Sequence, residues 1–211
     1  SEDGTLVLQV PPGAITGLAE VKMTFAPESS ITIPREGEMA PGEMNYIGGV
    51  KIEAQGSFTN TEELHLELPA PANLPEGQRA LVMKPARVNH NGTEVIVWET
   101  VTSAKVESGK IKSTSPPFLG VTLVSVLVGL TIASTFFIFI PQRQRVVTGL
   151  VRKQKNDGTY EAVTSGFCAI PNLDGTTFQV SAEIQSNGKF TIAHNSSHYP
   201  TNLPIPVFCE S

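Results

Sequence analysis

Four histidines, two cysteines and three aspartates are the residues of this chain best able to do chemistry, and their spacing keeps them apart. Catalysis needs a nucleophile with a base, paired carboxylates in a cleft, or a metal held by several ligands. His65 sits in a run whose apolar residues are Leu64, Leu66 and Leu68, so alternation sends it to the solvent face of a strand. His194 and His198 stand four apart, a spacing that aligns two ligands on a helix. Here it falls in HNSSH, which reads as a polar loop with no carboxylate close by. Trp98 reads as a core anchor, since tryptophan buries a large area. One Trp and three Tyr are too few for a sugar-binding platform. No catalytic, cofactor-binding or metal-ligating set emerges, so the chain reads as something other than an enzyme, with no cofactor.

The cysteines, Cys168 and Cys209, both lie near the C-terminus. In an oxidising compartment they could bond and tie the tail back to its domain. In a reducing one they are two small core side chains, and spacing leaves both readings open. Asn91-Gly92-Thr93 and Asn195-Ser196-Ser197 are glycosylation sequons, both expected in loops, and they matter only in a eukaryotic secretory pathway.

Charge is uneven. Residues 1–117 carry 15 acids and 9 bases, and residues 118–211 carry 5 acids and 6 bases. Neither part is basic enough to suggest nucleic acid as a partner. Ser1 opens the chain as it would in an excerpt or a processed protein, so the lack of a leader pattern says nothing about export.

The elements that would position these residues fall into three parts: 1–117, 118–141 and 142–211. Eighteen Gly and sixteen Pro break the chain into short alternating runs, as in an all-β fold. In the first part, strands are expected near Leu6–Val10, Val21–Phe25, Ile47–Glu53, Leu64–Leu68, Ala80–Ala86, Glu94–Thr100 and Gly109–Ser113. Asn91-Gly92 is a hairpin signal. Seven strands at short spacing predict an antiparallel sandwich.

In the third part, Arg145–Arg152 starts a strand and Asp157-Gly158 marks a turn. Strands follow at Tyr160–Val163, Gly166–Ile170, Thr177–Ile184 and Lys189–Ala193, with Asn187-Gly188 as a hairpin between the last two. Val207-Phe208 is expected to add an edge strand. The fold class expected is thus two antiparallel β-sandwich domains joined by a long apolar segment.

That segment, Phe118 to Ile140, holds no charge and is closed by Pro117 and Pro141. As a helix it would span roughly 34 Å, enough to cross a bilayer core. Thr122, Ser125, Gly129 and Ala133 would then share one face of small residues, suited to close packing on a partner helix. Its Val, Ile, Thr and Phe content also suits two buried strands broken at Gly129. Length and lack of charge favour the transmembrane helix.

Two resemblances add to this reading. VPPGAI after a short alternating strand, with the later KPARV, VIVWET and KVESGKIKSTSPPF, resembles a ZU5-like β-domain. The resemblance implies a scaffolding or protein-interaction module over residues 1–117. The family's His-Phe-Ser self-cleavage site does not occur here. In the last part, Val147-Thr148-Gly149-Leu150-Val151 and Ser186-Asn187-Gly188-Lys189-Phe190-Thr191-Ile192 are similar to the carboxypeptidase-regulatory-like family. That implies a transthyretin-like sandwich serving as a non-catalytic spacer. Together these readings describe a cell-surface structural or interaction protein, anchored in a membrane through its apolar segment, whose partners are other proteins or copies of itself. The alternative is a self-assembling extracellular filament or sheath subunit whose apolar segment is buried between copies.

Overall fold

A computed structural model describes residues 5–31, 44–60, 62–90, 92–114, 118, 120–121, 123, 131–141, 144–171, 178–195 and 204–211. Among them, every extended element is a strand and the single helical turn is a 3-10 turn at Glu28–Ser30. The strands are β1 (Val7–Gln9), β2 (Ile15–Phe25), β3 (Met44–Asn60), β4 (His65–Pro69), β5 (Arg79–His90), β6 (Thr93–Glu107), β7 (Lys110–Thr114) and β8 (Thr131–Pro141). They continue with β9 (Gln144–Leu150), β10 (Arg152–Gln154), β11 (Tyr160–Ala162), β12 (Phe167–Pro171), β13 (Phe178–Glu183), β14 (Lys189–Asn195) and β15 (Phe208–Glu210). The fold is all-β, and among the described residues the registered strand ladders are antiparallel, with a parallel bridge between Ser181 and Glu99.

Two compact units divide the chain. Unit 1 takes Ser1–Thr32, Tyr46–Lys84 and Val101–Ile140; unit 2 takes Ile33–Asn45, Pro85–Thr100 and Pro141–Ser211. Strands β5 and β6 each give one part of their length to either unit, and β8 belongs with the first.

In unit 1 the strand order is β1-β4-β7-β6-β5-β8-β3-β2. Alternation decides which side chains go inward. On β3, Val50, Ile52 and Ala54 are buried while Lys51 and Glu53 face outward. The same core takes Leu64, Leu66 and Leu68, Val82, Val101, Val106, Ile111, Phe136 and Ile138. Burying one such side chain contributes about 1.5–3 kcal/mol. The opening turn closes through Ala14 N–H donating to Pro11 O at 3.0 Å, with Gly13 at φ +85°.

The transmembrane helix expected over 118–141 is not what forms. Residues 131–141 are strand β8, seated between β5 and β3, with Leu81 opposite Phe139, Val82 opposite Ile138 and Met83 opposite Phe137. Phe136, Phe137, Ile138 and Phe139 are all buried, so this part of the strand is covered on both faces. A strand covered on both faces reads as an unbroken apolar run, which is why length and lack of charge imitated a membrane span. Earlier in the stretch, Phe118, Val121 and Leu123 are buried too, and Leu64 N–H donates to Val121 O at 2.8 Å. Among the described residues, no helix is long and apolar enough to cross a membrane.

In unit 2, β12 pairs with β13 and with β15, while β14 pairs with β9 and β10 with β11. A small core of Val88, Val97 and Ala169 is flanked by Ala86, Val95 and Phe167. The Asn187-Gly188 turn forms as expected: Gly188 has φ +82°, and Lys189 N–H donates to Asn187 Oδ1 at 2.9 Å. Its two flanking strands do not form a hairpin ladder with each other. β13 pairs with β12 and bridges β6, whereas β14 pairs with β9. The turn is a corner between two sheets.

Candidate interaction surface

The residues singled out for chemistry are scattered by the fold. His65 is half-buried between the buried Leu64 and Leu66, on the outward face. Trp98 is buried on β6. His194 lies within β14, buried and opposite Arg145, rather than in a loop. His198 lies outside the described residues.

Beside His194, Ala193 O accepts a 2.7 Å hydrogen bond from Thr100 Oγ1 on β6. The buried Glu99 is next to Thr100, but pleating sends it to the opposite face of β6. Among the described residues, no three His, Cys, Asp or Glu gather as a metal site.

Cys168 and Cys209 are bonded to each other, facing across the β12–β15 ladder. The bond holds the C-terminal strand, and Phe208 and Glu210 on either side of Cys209 both meet His90. The His90 and Phe208 rings lie edge to face at 5.2 Å, and His90 Nδ1 stands 3.4 Å from Glu210 Oε2. Half-exposed contacts of this kind contribute little on their own.

Asn195 is the last residue of β14 rather than part of a loop, and Asn91 lies outside the described residues. Of the small-residue face expected on a helix, the one described residue lies on a strand. Ala133 is exposed on β8, while Thr122, Ser125 and Gly129 lie outside the described residues.

One surface was missed by reasoning on site residues: the open edge of unit 1. β2 is an 11-residue strand at the end of the sheet, and among the described residues its only strand partner is β3. The register runs without a shift from Ile15 opposite Asn60 to Phe25 opposite Val50. One residue further, Ala26 N–H donates to Gly49 O at 2.9 Å. Antiparallel hydrogen bonding skips alternate residues, so even-numbered positions of β2 bond to β3. The odd-numbered ones, Gly17 to Phe25, turn their N–H and C=O outward.

The same odd positions carry the apolar face. Val21 is 37% exposed and Phe25 51% exposed, beside the half-buried Met23, although all three share a face with the buried Val50, Ile52 and Ala54. On the other face, Glu20 and Lys22 are exposed. Lys22 stands opposite Glu53, whose carboxyl is held below the usual range by the hydrogen bond from Lys51, by the charge of Lys51 and, least, by that of Lys22. The signal in the sequence was the alternation of Val21, Met23 and Phe25, which predicts a strand. Nothing in it said that the strand ends a sheet.

Near this edge Tyr46 is fixed by its hydroxyl donating to Ala26 O and by the Phe137 and Phe139 rings at 6.5 and 6.0 Å. Burial, with Glu28 adding to it, raises the tyrosine's pKa, so it stays a neutral donor. In unit 2, β9 pairs only with β14 among the described residues and exposes Val146 and Leu150.

No protein-family model, curated protein or solved structure matches this chain. The surface must therefore be read on its own physics.

Proposed function

We propose that this chain is a non-catalytic structural or interaction protein of the cell surface, and that it engages other proteins through its sheet edges. The observation that carries the reading is β2. A long end strand with outward backbone groups and exposed apolar side chains is a template for another strand. Natural edges are usually blunted by proline, bulges or short length; β2 has no proline and pairs with β3 without a shift in register. The resemblance of residues 1–117 to ZU5-like modules and of 142–211 to carboxypeptidase-regulatory-like ones points the same way. The Cys168–Cys209 bond supports an oxidising location outside the cytoplasm. Anchoring through residues 131–140 drops out of the proposal, because those residues are used inside the sheet.

The filament or sheath reading is favoured by one observation: among the described residues, strands stand open at both ends of the unit 1 sheet, β1 and β2. Head-to-tail pairing of those two edges would add copies without limit. It would not bury the large apolar side chains of that stretch between copies, since Phe118, Val121, Leu123 and Phe136 to Phe139 are already covered in their own unit.

Intact cells making the full chain test the main reading. A membrane-impermeant amine cross-linker is expected to label the chain and join it to other proteins. Val21→Pro is expected to lose those adducts, since it removes an outward N–H that β3 does not use. Labelling seen only after lysis, with both cysteines found as free thiols, would rule the reading out.

A further inference from the structure

We infer that the partner of β2 is β2 of a second copy, paired antiparallel about a two-fold axis through Val21. This deepens the interaction reading above by naming the partner of that edge. Three observations carry it.

The first is charge. In a two-fold antiparallel pair centred on Val21, Glu20 of each copy lies opposite Lys22 of the other. Two opposite-charge pairs therefore flank the axis. The outward backbone groups belong to odd-numbered residues, so Val21 meets Val21 as a hydrogen-bonded pair. Glu20 and Lys22 then meet as non-hydrogen-bonded pairs, where Cα atoms approach to about 4.5 Å and side chains are closest. Each charge would also extend a ladder already present, because Lys22 stands opposite Glu53 and Glu20 opposite Gln55 within the sheet.

The second is register. Moving the centre by one residue to position 20 sets Glu20 against Glu20, and moving it to position 22 sets Lys22 against Lys22. Like charges directly opposite are destabilising. Centres further out leave both charges facing uncharged residues of β2 or positions outside the strand. The single acid and single base of β2 thus act as a key for one register.

The third is packing. The centred register places Phe25 opposite Gly17, at both ends of the contact. Phe25 is exposed in the single chain, and Gly17 has φ +104° and no side chain to obstruct a ring. The chain uses this arrangement elsewhere. On the β14–β9 ladder Phe190 stands opposite Gly149, with its ring occupying the space where a Cβ would sit, 2.3 Å from that point. An aromatic laid over a cross-strand glycine is a known device for protecting a sheet edge. The contact would also cover Val21 and Met23 and let the two unit 1 cores run on across the axis.

A two-fold contact of this kind closes on itself, so it yields a dimer and leaves no β2 edge for a fibre.

Charge exchange between copies tests it. The full chain is expected to dimerise in sedimentation velocity at micromolar concentration. Glu20→Lys alone, or Lys22→Glu alone, sets like charges opposite each other twice and is expected to weaken the dimer at least about tenfold. An equal mixture of the two single variants restores both pairs across a mixed interface and is expected to give heterodimers. The double variant E20K/K22E is expected to recover self-association. Glu20 and Lys22 are both exposed; a glutamate at 22 would stand opposite Glu53 within the sheet, so circular dichroism checks that each variant keeps its fold before its dimerisation is compared. A chain that stays monomeric throughout overturns the inference while leaving binding to other proteins intact. A dimer indifferent to the single swaps, or a mixture that fails to recover it, assigns the contact to another surface and overturns the inference equally.

Discussion

Asp157 shows how one side chain can set a turn. Its Oδ1 accepts from the Thr159 hydroxyl at 2.6 Å and from Thr159 N–H at 2.9 Å, which closes the loop around Gly158 at φ +82°. Both bonds favour the ionised carboxyl, the hydroxyl most, and so lower its pKa below the ordinary 3.8. The sign follows from linkage. A depressed pKa contributes stability that is complete above the unfolded-state value and is lost as pH falls through the folded-state value. The turn is thus expected to loosen only in the acid range below that ordinary value. Thr159→Val is expected to move the Asp157 titration up toward it, read by carboxyl carbon NMR. An unchanged titration would mean that the hydroxyl is not its main cause. The turn itself was legible from Asp157-Gly158. The role of Thr159 was not, because threonine two positions after an aspartate is common in many settings.

At the scale of elements, β8 carries the argument. Its run of Phe136, Phe137, Ile138 and Phe139 fills both faces of an interior strand, and Gly49 on β3 shows how tightly the neighbouring backbones close. A Cβ at Gly49 would stand 2.9 Å from Ala26 O and 3.1 Å from Phe136 O, so only glycine fits between them. Phe137→Ala is expected to cost about 3–5 kcal/mol, the range for losing a buried phenylalanine. Denaturant unfolding measures it, and a cost below about 1 kcal/mol would contradict a fully covered strand. A lipid-facing helix would instead leave the chain's aqueous unfolding almost untouched by the same change. Most strands were legible because one face is wet and alternation shows. β8 was misread because burial on both faces erases alternation and leaves only an apolar run.

At the scale of the whole chain, the two units have different supports. Unit 1 rests on a broad apolar core, while unit 2 adds a covalent tie, Cys168 to Cys209, across a sequence separation of 41. Closing a loop of that order typically stabilises by about 2–4 kcal/mol. Replacing both cysteines by serine is expected to lower amide protection in β12, β13 and β15 while leaving Val50 and Ile52 on β3 protected. Hydrogen exchange reads the two units separately, and equal loss in both would show that they unfold as one.

The amino-acid sequence determined what can be settled between neighbours in the chain. It set the all-β class, the Asn-Gly and Asp-Gly turns, the inward and outward faces of the amphipathic strands, and the separation of its histidines and cysteines along the chain. Those depend on backbone preference and side-chain period, which act over a few residues. The tertiary structure alone decided which strands lie inside and which end the sheet, that Phe136 to Phe139 of the apolar stretch are hidden by their own fold, and that Cys168 faces Cys209. Each is a matter of which distant segments become neighbours. That pairing is chosen by the burial of the whole core, and no local window of residues contains it.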